Sequence, residues 1–166
     1  TVTHAKFVAQ TEQEIKDYSR YNNTIAIWLE KIEKIISIYS ELVNGDFSTR
    51  KNIRRIISNL ITHYVHYKDI VKELYENMDY DNSTVDDFIW QKQLRIYFVG
   101  EGGAKVTEQN FDKIKFDVKI RQLNFEYDYG YEYFGPSTRL VISPLTDRVW
   151  LTMTSGLHIG MGCSLG

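Results

Sequence analysis

From Ile25 to Val43 the apolar residues fall at Ile25, Trp28, Leu29, Ile32, Ile35, Ile36, Tyr39, Leu42 and Val43. A second set runs through Ile53, Ile56, Ile57, Leu60, Ile61, Tyr64, Tyr67, Ile70, Val71 and Leu74. Steps of three and four residues follow the 3.6-residue turn of an α-helix, so each set makes one stripe along a helix. Two such stripes in succession commit the first half of the chain to long helices, each with a face to bury. Asn22, Asn23 and Thr24 offer side-chain oxygens to start the first helix, and Asn44-Gly45 predicts a left-handed stop. Ser48 or Thr49 can cap the second. Arg50, Lys51, Arg54 and Arg55 crowd its first turns, where the helix dipole disfavours positive charge. That crowding calls for a carboxylate partner or a further helical turn upstream; otherwise it is a solvated face or an interdomain contact. Residues 1–20, with Glu12, Glu14, Ile15 and Tyr18, also read as helical.

Past Asp79-Tyr80-Asp81-Asn82, the run Ser83-Thr84 with Asp86 and Asp87 predicts a helix start, followed by a short helix through Phe88, Ile89, Trp90, Gln93 and Leu94. Ile96 to Val99 are strand formers, ended by Gly100-Glu101-Gly102-Gly103. Ile114, Phe116, Val118 and Ile120 alternate with Lys115, Asp117, Lys119 and Arg121, the period-two signature of a half-buried strand, expected to pair antiparallel with Ile96–Val99. Beyond Gln122 the parity slips to Leu123, Phe125, Tyr127 and Tyr129, which predicts a bulge or a change of partner. Leu140, Val141 and Ile142 read as a short strand and Ser143-Pro144-Leu145-Thr146 as a turn. A helix starting at Thr146-Asp147 follows, with Val149, Trp150, Met153 and Leu157 as its inner face. The predicted class is α+β: an α-helical bundle over 1–94, a β-hairpin and joint over 95–135, then strand, turn and helix over 136–166.

Composition narrows the function. A formal net charge of −2 over 166 residues gives no electrostatic reason to expect nucleic acid or an anionic membrane as partner. No run approaches the roughly 18 apolar residues of a membrane helix, and the opening Thr-Val-Thr-His-Ala-Lys lacks signal-peptide character. The single cysteine, Cys163, suits a reducing compartment such as the cytosol. An opening without Met and a close on Cys163-Ser164-Leu165-Gly166 read as those of an excised piece.

The local candidates for chemistry are weak. His63 and His66 share a helix face at i and i+3, but no third ligand is near in sequence, so no metal is expected. Cys163 has no identifiable base partner and is not expected to act as a nucleophile. Gly160, Gly162 and Gly166 do not keep the Gly-x-Gly-x-x-Gly spacing of a dinucleotide loop. Trp28, Trp90 and the tyrosines of 127–133 look like core and packing surface. No catalytic residue is identified.

Longer patterns say more. The segment Phe125-Glu126-Tyr127-Asp128-Tyr129-Gly130-Tyr131-Glu132-Tyr133-Phe134-Gly135, followed by Arg139-Leu140-Val141-Ile142-Ser143-Pro144-Leu145-Thr146-Asp147-Arg148, resembles the start of the first AAA+ module of dynein heavy chains, with Phe134 and Ser143 as mild departures. Val65-His66-Tyr67-Lys68-Asp69-Ile70 is similar to that family's Val-His-x-Arg-Asp-Val helix. Asp87-Phe88-Ile89-Trp90, Gln93-Leu94-Arg95 and Tyr97 are similar to its Asp-Phe-x-Trp-x-x-Gln-Leu-Arg-x-Tyr segment. The resemblance covers residues 50–166 well and 1–49 only as a helical region.

The resemblance implies a piece of a microtubule motor. Residues 1–94 would be the end of the helical linker, 95–135 a joint, and 136–166 the N-terminal edge of the ATPase module. It implies adenine-side contacts from Val141, Ile142, Pro144, Leu145 and Thr146, with ATP and Mg²⁺ as cofactors of the intact motor. It also implies as partners the rest of the motor ring, microtubules, and intermediate and light chains bound through other parts of the parent. In the family, the stretch after Leu157 leads into a Gly-Lys-Thr phosphate loop; the 166 residues contain no such run, so the piece alone is expected to bind no cofactor and to be inactive. The expected location is the cytoplasmic cytoskeleton or an axoneme, with the long connection between Val99 and Ile114 favouring the cytoplasmic class. The competing reading is a stand-alone helical adaptor that binds a protein partner through its aromatic face.

Overall fold

A computed structural model describes residues 2–18, 23–45, 50–78, 84–103, 106, 110, 113, 115–132 and 142–164. Five α-helices and three strands appear among them: α1 Val2–Tyr18, α2 Thr24–Asn44, α3 Lys51–Asn77, α4 Phe88–Gln91, β1 Arg95–Gly100, β2 Phe116–Gln122, β3 Phe125–Asp128 and α5 Pro144–His158. The class is α+β, as the periodicities predict. The chain divides into two compact units: residues 1–12, 85–131 and 144–166 form one, and 13–84 with 132–143 the other.

The second unit is the helical one. Its core comes from the expected stripes, with Ile25 and Ile32 of α2 and Tyr67, Ile70, Val71 and Leu74 of α3 buried together with Ile15. Burying each such side chain contributes about 1.5–3 kcal/mol. The Thr24 hydroxyl donates to the Glu14 carbonyl at 2.8 Å, which joins the start of α2 to the end of α1. Tyr64 stands edge-on to both Tyr39 (5.6 Å) and Tyr67 (5.5 Å).

The helix ends differ from expectation. Asn23 precedes α2 in the left-handed region at φ 84° without a capping side-chain bond; Asn22, like Ser48 and Thr49, lies outside the described residues. Gly45 has φ −99°, so α2 does not stop on a left-handed glycine. Glycine suits the site for another reason: a Cβ at position 45 would stand 3.1 Å from the Glu41 carbonyl oxygen, to which the Gly45 N–H donates at 2.8 Å. Arg50 precedes α3, which has no acid in its first turn, and Lys51, Arg54 and Arg55 make no ion pair with a described residue.

In the first unit a three-stranded antiparallel meander, β1-β2-β3, carries α4 and α5. Ile96 lies opposite Ile120 and Phe98 opposite Val118, the hairpin the alternation predicts; Ile114 lies outside the described residues. The parity slip after Gln122 is a second hairpin, not a bulge. Gln122 pairs with Phe125 across a two-residue turn, Leu123-Asn124, in which Leu123 takes φ 51°. Such a value is costly for a side chain branched like leucine; the Leu123 N–H donating to the Gln91 carbonyl at 2.7 Å helps to hold it. Lys119–Asp128 and Arg121–Glu126 pair across β2 and β3 at the surface, where solvent leaves such pairs little net value.

The short helix α4 begins only at Phe88, after Asp87, and Thr84 stands outside it; Ser83 and residues 79–82 lie outside the described residues. Trp90 is fully buried and meets Phe7 edge-on at 6.3 Å.

Candidate functional site

The turn expected at residues 143–146 is the start of α5. Proline occupies its first position, where a missing N–H costs nothing and φ is already helical. The helix therefore begins two residues earlier than the Thr146 start expected from sequence. Leu145 is 71% exposed, Pro144 is exposed, and Ile142, Ser143 and Thr146 are half-buried. Leu140 and Val141 of the expected strand lie outside the described residues, as do 133–139, and Ile142, its described residue, is not in a strand. Of the expected inner face of α5, Val149 and Met153 are half-buried, whereas Trp150 and Leu157 are more than half exposed, and no residue of α5 is fully buried.

Polar and aromatic contacts tie α5 to the sheet. The Phe125 ring stacks on His158 at 4.2 Å, and the Tyr127 hydroxyl donates to the Thr154 carbonyl. The Thr154 hydroxyl has one proton and three acceptors, Gln122 Oε1 at 2.6 Å, the Trp150 carbonyl at 2.9 Å and the Leu151 carbonyl at 3.1 Å, with Gln122 the nearest. Gln122 is buried, and its Nε2 donates to the Lys92 carbonyl at 2.8 Å. A carbonyl only accepts, so this bond fixes the amide orientation and leaves Oε1 to accept from Thr154. At the helix end Gly156 admits Cys163, whose Sγ would stand 2.6 Å from a Cβ at that position.

A second polar cluster lies where α1 meets the sheet. Glu12 Oε1 accepts from the Tyr97 hydroxyl and from Trp90 Nε1 (3.3 Å). Arg95, only 4% exposed, donates to the Tyr97 hydroxyl (3.1 Å), to Gln91 Oε1 (2.5 Å) and to the Leu123 carbonyl (3.2 Å). Arg95 Nη1 comes within 4.0 Å of Glu12 Oε1, and Arg95 Nε has no hydrogen-bond partner. Arg121, opposite Arg95 in the register, lies 4.9 Å over the Tyr97 ring. Burial, then the hydrogen bond to Glu12 and its charge, hold the Tyr97 hydroxyl protonated far above its ordinary range, with Arg95 opposing. The spaced residues Trp90, Arg95 and Tyr97 thus converge on one carboxylate.

Sequence reasoning missed Glu12, Gln91, Gln122 and Thr154. One signal was present: Gln122 takes an inward position in the alternation that Phe116, Val118 and Ile120 set, and a polar group there must find partners. Among the described residues no group of three His, Cys, Asp or Glu could hold a metal. The His63 and His66 rings lie instead beside Tyr67, at 6.1 and 6.3 Å.

Residues 129–166, which include the start of α5, match the family profile described as the hydrolytic ATP binding site of the dynein motor region. Dynein axonemal heavy chain 2 of Mus musculus is 39% identical over 130 residues, 78% of this chain, and dynein axonemal heavy chain 1 of the same species is 40% identical over 132 residues, 80% of it. Cytoplasmic dynein 2 heavy chain 1 of Caenorhabditis elegans is 29% identical over 157 residues, 95% of the chain. This chain belongs to the dynein heavy chain family. It spans only 2–3% of the length of these heavy chains. The Arg95–Tyr97 cluster and the start of α5 are thus parts of a dynein heavy-chain sequence, and the profile match runs from Tyr129 through α5.

Proposed function

We propose that this chain is the root of a dynein's mechanical lever, joined to the adenine-side edge of the motor's main ATP site, and that it couples ATP hydrolysis to movement along microtubules. In this reading α1 to α3 are the C-terminal part of the linker, the meander is the joint, and the start of α5 covers the base. Val141, Ile142, Pro144, Leu145 and Thr146 line the adenine. The partners are the rest of the motor ring, with microtubules and the intermediate and light chains engaged through other parts of the parent chain.

The observation that carries this reading is the exposed start of α5 inside the segment matching the ATP-site profile. Leu145 and Pro144 leave an apolar, proline-stiffened surface uncovered, which fits a flat base and presents backbone groups to its edge. When bound, ATP with Mg²⁺ supplies the phosphoryl group whose transfer drives the motor. The 166 residues contain no Gly-Lys-Thr run to hold the phosphates, so their part is to position the adenine end.

The test is ATPase activity against ATP concentration in intact motors. Pro144→Gly restores chain entropy worth about 0.4–1 kcal/mol, and a glycine inserted beside Leu145 displaces the backbone. Losing one hydrogen bond and part of the apolar cover is expected to weaken nucleotide binding by about 1–3 kcal/mol, roughly 5- to 150-fold in KM. A KM unaltered in both variants assigns the turn to structure alone.

A further inference from the structure

Two sets of hydrogen bonds, joined through the Gln122–Leu123 backbone, connect α1 with α5 within the first unit. Glu12 on α1 accepts from Tyr97, whose hydroxyl accepts from Arg95. Arg95 donates to the Leu123 carbonyl, and the adjoining Gln122 side chain accepts from Thr154 on α5. Gln122 is also tied to the Lys92 carbonyl beside α4. Arg95 and Gln122 are both buried, so water competes poorly for these bonds.

We propose that Gln122 and Thr154 are positioning residues, through which displacement of α1 is passed to α5 and so to Pro144 and Leu145 at its start. The inference rests on the lever reading above and names the contacts that carry it. Apolar packing is non-directional and lets a helix roll, whereas hydrogen bonds fix its rotation. The directional contacts that fix the rotation of α5 against the sheet are Gln122–Thr154, Tyr127–Thr154 and Phe125–His158. Of these, Gln122–Thr154 starts from the residue next to Leu123, whose carbonyl Arg95 holds. Thr154 lies ten residues from Pro144, so the helix carries an angular change over about 15 Å. At the α1 end, Arg95 keeps an unfilled donor at Nε and stands at 4.0 Å from Glu12, so a small shift of α1 can re-pair the cluster.

Intact motors carrying Thr154→Val, Thr154→Ser, Gln122→Glu and the Thr154→Val/Gln122→Glu pair test this. ATPase kcat and KM are measured beside microtubule gliding velocity. Thr154→Val keeps the side-chain shape and removes the donor; Gln122→Glu removes the donor to Lys92. The expected result for Thr154→Val is a kcat within about twofold of the parent, a KM raised at least twofold and at least a threefold loss of velocity at saturating ATP, with Thr154→Ser restoring both. Gln122→Glu keeps the acceptor for Thr154 and should lose less velocity than Thr154→Val, and the pair should be no slower than Thr154→Val alone, as for residues acting on one path. Velocity and kcat falling together, no loss of velocity, no rescue by serine, or multiplying losses in the pair each overturn the proposal. If Gln122→Glu fails to fold, Thr154→Val against Thr154→Ser decides. The adenine reading fails separately: its mark is an unshifted KM in Pro144→Gly motors, which these variants leave untouched.

Discussion

Tyr97 concentrates the chemistry of the first unit in one hydroxyl, which donates to Glu12 while accepting from Arg95. Tyr97→Phe leaves both charged partners short of a bond and is expected to destabilise the fold by about 1–3 kcal/mol. The same hydroxyl sets a pH dependence. Its proton is held more tightly in the folded state than in the unfolded chain, where tyrosine titrates near 10. Its contribution is therefore fully present below pH ~10 and declines above it, as the unfolded chain loses the proton first. Chemical denaturation at pH 8 and pH 10.5 should show a larger loss of stability in the parent than in Tyr97→Phe. Equal losses would remove Tyr97 from the alkaline response. The sequence showed Trp90, Arg95 and Tyr97 as a spaced pattern, yet not their convergence, because Glu12 lies 85 residues from Tyr97 in the chain.

Among the elements, α2, α3 and the β1–β2 hairpin were legible because one face of each is apolar at the period of its backbone. Leu74, fully buried on the α3 stripe, gives the direct check: Leu74→Ala is expected to cost about 2–5 kcal/mol by urea unfolding, and a loss under 1 would place it off the core. Helix ends were less legible. Sequence suggested a left-handed Gly45 and a helix start at Thr146, whereas Gly45 is set by the close Glu41 carbonyl and α5 begins at proline. The inner face of α5 was legible in part. Val149 and Met153 are half-buried as the stripe predicts, while Trp150 and Leu157 are exposed and the polar and ring contacts of Thr154 and His158 to the sheet have no periodic signature. Gly156 adds a local test. Alanine normally stabilises a helix interior over glycine by up to about 1 kcal/mol. With Cys163 Sγ 2.6 Å from the new Cβ, Gly156→Ala should lose that gain, and Cys163→Ala should restore it. Thermal unfolding of the two singles and the double reads the coupling; independent effects would mean that Cys163 does not occupy this place.

At the scale of the molecule, the family was legible from Phe125–Gly135 and Arg139–Arg148 because a long run of particular residues is specific, while helical stripes recur in countless folds. The adenine-side assignment goes further than the family. If it is right, the 166-residue chain alone offers a base little more than one apolar edge, and calorimetric titration with Mg-ATP should find binding no tighter than about millimolar, weaker than −4.1 kcal/mol. Micromolar binding would mean that these residues hold the phosphates as well. The most direct measurement uses the intact motor, photolabelled with 2-azido-ATP and mapped by peptide mass. The expected result is a label within residues 141–146 that excess ATP suppresses. A motor labelled at its nucleotide sites with none of that label in 141–146 would contradict the placement of the adenine against the start of α5.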